Sequence, residues 1–219
     1  MELFLGIKNK KYWRTKLIIR RATRKDLDLI TELTYNAFQN YPLFNVSTNK
    51  EKLHKTLHFL LYLNTLANIN DNDCYVCVDG KELVASFILK KPEHHHISFG
   101  TYIKIGGWQL PFKCSPKLAS NIMNNLSRSD AIMPEKFKNY WYLDTLVVSP
   151  DHQGQKIGSK TLQEVMKMVL QQGGKKLCLI TNTEINSVFY QKNGFKEVTK
   201  KSFNSFGQIN DTWVFEQEV

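Results

Sequence analysis

Apolar residues along this chain follow two spacings, and the switch between them marks the elements. Residues 17–22 (LIIRRA) read as a first strand. Thr23 with Asp26 forms a helix start with an acidic third residue. Leu27, Ile30, Thr34, Ala37 and Phe38 then trace one helical face to about Gln39, and Tyr41-Pro42 ends it. A second helix is predicted over residues 50–69, with Leu53, Leu57, Leu60 and Leu61 as its stripe. Strands at 73–78 (DCYVCV) and 82–90 (ELVASFILK) flank Asp79-Gly80, a hairpin-turn signal.

Residues 97–135 are the least regular stretch, with a helix predicted only from near Pro116. From 139 the pattern sharpens. A strand over 139–148 leads to a helix with Gly158, Leu162, Val165, Met166 and Val169 on its core face. Gly173-Gly174 ends that helix. A strand at 177–182, a short helix at 184–193, and strands near 195–200 and 211–217 follow. This order predicts an α/β (α+β) fold, a mixed central β-sheet flanked by helices. One domain is expected over 17–219, with residues 1–16 as an N-terminal arm of undefined order. No repeat or linker interrupts it.

Composition narrows the picture modestly. The chain has 219 residues, 42% apolar and 23% charged, enough for one substantial core. No apolar run reaches the ~18 residues of a membrane span, and no membrane partner is expected. The first residues make a poor signal peptide. Four cysteines in apolar or irregular settings read as reduced thiols, which points to the cytoplasm. Cys74 and Cys77, three apart in a strand, should face opposite sides. A net charge of +10 attracts polyanions, but the basic residues are scattered, so nucleic acid is disfavoured. His54 with His58, and His94-His95-His96, lack the geometry of a ligand set, so no metal is expected. A homodimer is left open.

Residues 141–159, WYLDTLVVSPDHQGQKIGS, carry the chemistry. They read as a buried strand, a glycine-containing turn and a helix start. Free N–H groups and the helix dipole there suit a phosphate or pyrophosphate. Lys156 and Lys160 lie beside the cradle. Further on, Asn186 and Tyr190 share one face of a short helix that Gly194 ends. Asp144 is a carboxylate in an apolar strand and a candidate base, or a buried hydrogen-bonding group. Trp108, Trp141 and Tyr142 shape an aromatic pocket or fill core.

The two motifs together resemble the acetyl-CoA site of the GNAT superfamily of N-acetyltransferases. The strand ending Val148-Ser149-Pro150, the turn from Gln153 and the run from Asn186 through Tyr190 to Gly194-Phe195 carry that likeness. The wording is most similar to the puromycin N-acetyltransferase-like branch. The resemblance is strong over about 139–217 and weaker, in layout only, over 17–112. It implies an acetyl-CoA-dependent N-acetyltransferase acting on a primary amine of a small molecule by direct attack in a ternary complex. Tyr190 would be the general acid. Leu146, Val147 and Val148 would pair with the pantetheine arm. Gln153, Gly154, Gln155, Lys156, Ile157, Gly158 and Ser159 would hold the pyrophosphate, and Asn186 the cofactor arm. Residues 97–135 and the early helices would form the acceptor side. One departure stands out: Lys156 replaces the first motif glycine. It is expected in a helical backbone with its side chain outward. The alternative is a degenerate module that binds acyl-CoA or nucleic acid without catalysis.

Overall fold

Asp26 sets the start of the fold. In the computed structural model, which describes residues 17–94 and 96–219, strand β1 (Ile18–Arg21) runs into helix α1 (Leu27–Phe38) through a short turn. The Thr23 N–H and hydroxyl both donate to Asp26 Oδ2 at 2.8 Å. Arg20 grips both carboxylate oxygens, at 2.8 and 2.7 Å. That guanidinium holds the Asp26 carboxyl far below the usual carboxylate range. The proposed N-terminal arm and His95 lie outside the described residues.

Helix α2 (Lys50–Asn70) is capped by Asn49, whose side chain accepts the Lys52 N–H at 3.0 Å. Asp79-Gly80 turns β2 (Cys74–Asp79) into β3 (Glu82–Lys90), with Gly80 at φ 62°. Cys74 and Cys77 do point to opposite faces, one packing with Ile30 and Leu66, the other with Leu162 and Val165. Residues 97–135 hold α3 (Phe99–Lys104), α4 (Leu110–Lys113) and α5 (Pro116–Asp130). The second half is β4 (Trp141–Val148), α6 (Ile157–Gln171), β5 (Lys176–Thr181), α7 (Glu184–Lys192), β6 (Lys196–Ser205) and β7 (Gln208–Glu218).

The seven strands form one sheet in the order β1-β2-β3-β4-β5-β7-β6, with β4 and β5 parallel and the rest antiparallel. One face packs on α6 through Leu162, Val165 and Val169; the other packs against α1 and α2. The last hairpin is longer than its sequence pattern indicates. It closes at Phe206 and Gly207, both at positive φ. Its tip, KKSFNS, is polar, so no apolar alternation marks those strand residues.

Strand β4 is irregular in two places. Leu143 pairs with Leu89 and Thr145 with Ile88, so Asp144 has no partner of its own: it is the extra residue of a β-bulge. The bulge flips the strand's alternation. Trp141 and Leu143 face the α6 side before it; Leu146 and Val148 face that side after it. The second irregularity is the short ladder to β5. Only Trp141 with Leu177 and Tyr142 with Cys178 are paired, and the strands then part.

Candidate active site where two strands part

Beyond Tyr142, β4 stays bonded to β3 and β5 stays bonded to β7, so a gap opens between the two parallel strands. Leu146, Val147 and Val148 form its β4 edge. Past that edge the chain turns through Pro150–His152 to Gln153, which is extended, and Gly154, at φ 75°. Lys156 N-caps α6. Its carbonyl accepts the Lys160 N–H at 3.0 Å. The N–H groups of Ile157, Gly158 and Ser159 open the first turn and have no acceptor one turn back. With the dipole of the 15-residue α6 behind them, they make a candidate anion cradle. Gln155 Nε2 donates to the Asp151 carbonyl at 3.2 Å, while its buried Oε1 finds no donor among the described residues and, as an acceptor, contributes nothing to an anion site. Gly158 has a packing reason: a Cβ there would lie 3.1 Å from Phe189 Cζ and 3.7 Å from Val148 Cγ2.

Lys156 corrects one expectation. Its backbone is left-handed, at φ 62° and ψ 16°, not right-handed helical. The entry from extended Gln153 into α6 needs a reversal, and the chain makes it with positive φ at both 154 and 156. A glycine would adopt that conformation freely; a lysine does so at a cost of roughly 1–2 kcal/mol. The side chain is exposed, as expected.

On the facing wall, Thr183 caps α7 by accepting the Asn186 N–H at 3.3 Å. Asn186 is half-buried. Tyr190 is buried, its ring against Phe189, Phe195 and Phe215 at centroid distances of 5.2, 5.6 and 6.1 Å. Burial pushes its hydroxyl well above the usual phenol range, and the nearby Tyr41 adds to the shift. It therefore holds its proton at any physiological pH, and the same burial makes it a weaker acid than a free phenol.

Tyr41, from the loop after α1, carries no local sequence signal of a site. Its Oη accepts the Asn182 N–H at 2.8 Å and lies 3.4 Å from Thr181 Oγ1. Burial raises its titration, while hydrogen bonds from Thr181, Asn182 and Asn186 oppose that. Asn182 is a hub. Its Nδ2 donates to Ser129 Oγ at 3.0 Å, Thr212 Oγ1 at 2.8 Å and Asp211 O at 3.0 Å. The end of β5, the end of α5 and the α1–α2 loop are thus tied at one point.

Asp144 is answered by Lys90, whose Nζ lies 3.0 Å from Oδ2. Lys90 is only 6% exposed, so this pair is largely out of water. Asp130, the last residue of α5, senses both. Burial and the Asp144 charge raise its carboxyl to about 6, with Lys90 opposing. Asp130 as a residue is exposed, so solvent screens much of this effect. Tyr102 is pushed up to about 12 by burial and then by Asp144. Tyr142 is raised for the same two reasons. Two tyrosines, two carboxylates and a lysine therefore cluster beside the bulge.

The structure brings the predicted Asp144, Leu146–Val148, 153–159, Asn186 and Tyr190 to one gap. It adds Tyr41, Lys90, Tyr102, Asp130 and Asn182. The aromatic reading divides. Trp141 is core, so close to Gly174 that a Cβ there would come within 2.5 Å of its Nε1. Trp108 lies 59% exposed on another segment. Tyr142 alone joins the cluster. Of the histidines, His58 pairs with Glu32 at 2.7 Å and His54 packs on Tyr35. Among the described residues no group of three or more His, Cys, Asp or Glu could hold a metal ion.

Comparison with known proteins places this fold in a class. Residues 128–197 match the model of the acetyltransferase (GNAT) domain. No curated protein matches the sequence. Among solved structures, an agmatine N-acetyltransferase superposes with a TM-score of 0.60 at 14% identity, over 93% of this chain and 99% of that one. A Drosophila melanogaster polyamine N-acetyltransferase gives 0.62 at 14%, over 93% and 100%. A mosquito arylalkylamine N-acetyltransferase-like protein gives 0.56 at 12%, over 93% and 100%. The α/β fold, a mixed seven-stranded sheet flanked by helices, is that of the GNAT acetyltransferases.

Proposed function

We propose that the protein is an acetyl-CoA-dependent N-acetyltransferase that acetylates a primary amine of a small molecule by direct attack in a ternary complex. The parting of β4 and β5 above a helix-start anion cradle carries this reading. The residues present fit the cosubstrate: an open strand edge and unpaired N–H groups at the start of α6. Residues 153–159 would hold its pyrophosphate, the edge Leu146–Val148 its pantetheine, and Asn186 its arm. Bound acetyl-CoA supplies an activated acetyl thioester.

The chain's own residues do the rest. Tyr190 keeps its proton until a leaving group needs it. Asp144, kept beside Lys90, accepts a proton from the amine, directly or through water. Asp130 and Asp144 together favour a cationic acceptor, in keeping with the amines named for the similar structures. The puromycin-like branch rests on motif wording alone and carries no acceptor assignment.

Thiol release from acetyl-CoA with a panel of primary amines tests the activity, and the melting midpoint with acetyl-CoA tests binding. At ligand ~100 times its dissociation constant, stabilisation should reach roughly 2.7 kcal/mol. No midpoint shift at millimolar ligand rejects the cosubstrate. A shift without turnover on any amine supports the noncatalytic binding module instead.

A further inference from the structure

The stretch between β3 and α5 is apolar yet buries little. Neither α3, the turn at Gly107–Gln109, nor α4 contains a buried residue. Phe99 is 79% exposed, Ile103 38%, Trp108 59% and Phe112 83%. Phe99 and Ile103 are four apart on α3; Trp108 and Phe112 are four apart from the turn into α4. Each pair thus shares one helical side. The segment folds back at Gly106, φ 119°, and Gly107, where a Cβ would come within 2.7 Å of the Tyr102 carbonyl oxygen.

Its inner side is occupied. Tyr102 donates to Asn64 Oδ1 at 3.0 Å, the Ser115 N–H donates to Thr56 Oγ1 at 3.2 Å, and Lys113 lies over the Phe59 ring. The outer side has no such partner among the described residues. Its charge is one-sided. Between Glu93 and Asp130 the sequence has no Asp or Glu, while Lys104 and Lys117 lie exposed along the same stretch and Lys113 turns toward Phe59. Apolar rings framed by cations, with no carboxylate near in sequence, match a surface that is itself both apolar and anionic.

We propose that this face docks on an anionic phospholipid surface. Phe99, Trp108 and Phe112 enter the boundary between headgroups and acyl chains, and the lysines meet the headgroups. A second copy of the chain is a poorer occupant. A two-fold contact would set the same lysines against each other, on molecules that each carry +10. This is contact with a surface, not a span: no helix among the described residues is long and apolar enough to cross a membrane. It revises the expectation of no membrane partner, which rested on the search for spans.

The test is co-sedimentation of the full chain with phosphatidylcholine vesicles, with and without phosphatidylserine at about a third of the lipid. The anionic vesicles should bind at least ~10-fold more protein. Phe99→Ser with Trp108→Ser and Phe112→Ser should reduce that binding ~10-fold or more with an unchanged melting midpoint, because the residues are exposed. Lys104→Glu with Lys117→Glu should remove the preference for anionic vesicles. Equal binding to both vesicles, or none, overturns the proposal. So does undiminished binding by the triple serine variant, which would assign the effect to diffuse charge. A dimer of the unaltered chain that the serine variant dissolves would assign the face to a second copy and overturn it too.

Discussion

The two walls of the gap are built in different ways. The cradle wall comes from one continuous stretch, residues 146–160, in which strand, turn and helix succeed one another. The other wall joins Asn186 and Tyr190 of α7 to Tyr41, Lys90, Tyr102, Asp130 and Asp144, which come from five further elements or loops. Under the proposed function the first would work through backbone N–H groups, which do not depend on the side chain at position 156. The second works through side-chain charges that exist only because the whole sheet is assembled. In the proposed reaction, local geometry would supply anion binding and long-range packing the acid–base character. Single substitutions can break the two walls separately.

The largest effect should come from Lys90→Ala. It leaves the Asp144 carboxylate without the ammonium 3.0 Å away, in a place where only a quarter of its side chain meets water. Breaking a largely buried pair on one side costs about 3 kcal/mol. For a chain of this size the midpoint should fall by roughly 6–12 °C. Lys90→Met with Asp144→Asn should recover much of the loss. A single Lys90→Ala variant that melts like the parent would mean that Asp144 is solvated and the wall is open to bulk water.

Tyr190→Phe comes next and separates chemistry from packing. The ring keeps its contacts with Phe189, Phe195 and Phe215, so the midpoint and the acetyl-CoA shift should hold. Turnover should drop ~100-fold if this hydroxyl protonates the leaving thiolate. Undiminished turnover, measured where chemistry limits the rate, would move the proton donor elsewhere, with Tyr41 the nearest phenol sensed by Tyr190.

The difference between the walls also explains what the sequence revealed. The cradle was legible because its parts are adjacent: Val148-Ser149-Pro150, the turn at 153–156 and the periodic helix come in order. Asn186 and Tyr190 were legible because a four-residue spacing fixes a shared face. Asp144 stood out as a charge in an apolar strand, but its bulge did not, since a bulge is a property of the pairing with β3. Tyr41 read as a helix end, because its hydrogen bond to Asn182 spans 141 residues. Asp130 looked like any polar helix terminus. Lys90 looked like a strand end, with nothing local to show that it is buried.

Asp130→Asn should have a smaller, pH-dependent effect. In the folded chain its carboxyl is raised from 3.8 to about 6, by burial first and by Asp144 second. A carboxyl raised by folding favours the neutral form. Its stabilising share is therefore complete below pH ~4 and lost as pH rises through about 6. Asparagine cannot ionise, so the variant should match the parent near pH 4 and exceed it at pH 8. Because Asp130 is exposed as a residue and solvent screens its charge, the gain should be below ~1 kcal/mol. Melting at both pH values checks this. An equal change at pH 4 and pH 8 would mean that Asp130 does not feel the burial and the Asp144 charge that define this wall.

Lys156→Gly should have the smallest effect, because two terms oppose each other at one residue. The left-handed backbone at φ 62° costs a lysine roughly 1–2 kcal/mol. Glycine removes that strain, but its freer unfolded chain returns about 0.5–1 kcal/mol. The net gain in stability should be below ~1 kcal/mol. Binding of CoA moves the other way. The N–H groups of the cradle keep their positions, since φ and ψ need not change. What is lost is an exposed ammonium beside a polyphosphate, worth up to ~1 kcal/mol and screened by salt. Affinity should therefore fall by less than ~5-fold at low salt and hardly at all at physiological salt. Titration of CoA at two ionic strengths, with a melting curve for each variant, reads both terms. If Lys156→Gly instead tightens CoA binding tenfold at either ionic strength, the lysine side chain obstructs the cradle, and this wall depends on more than its backbone.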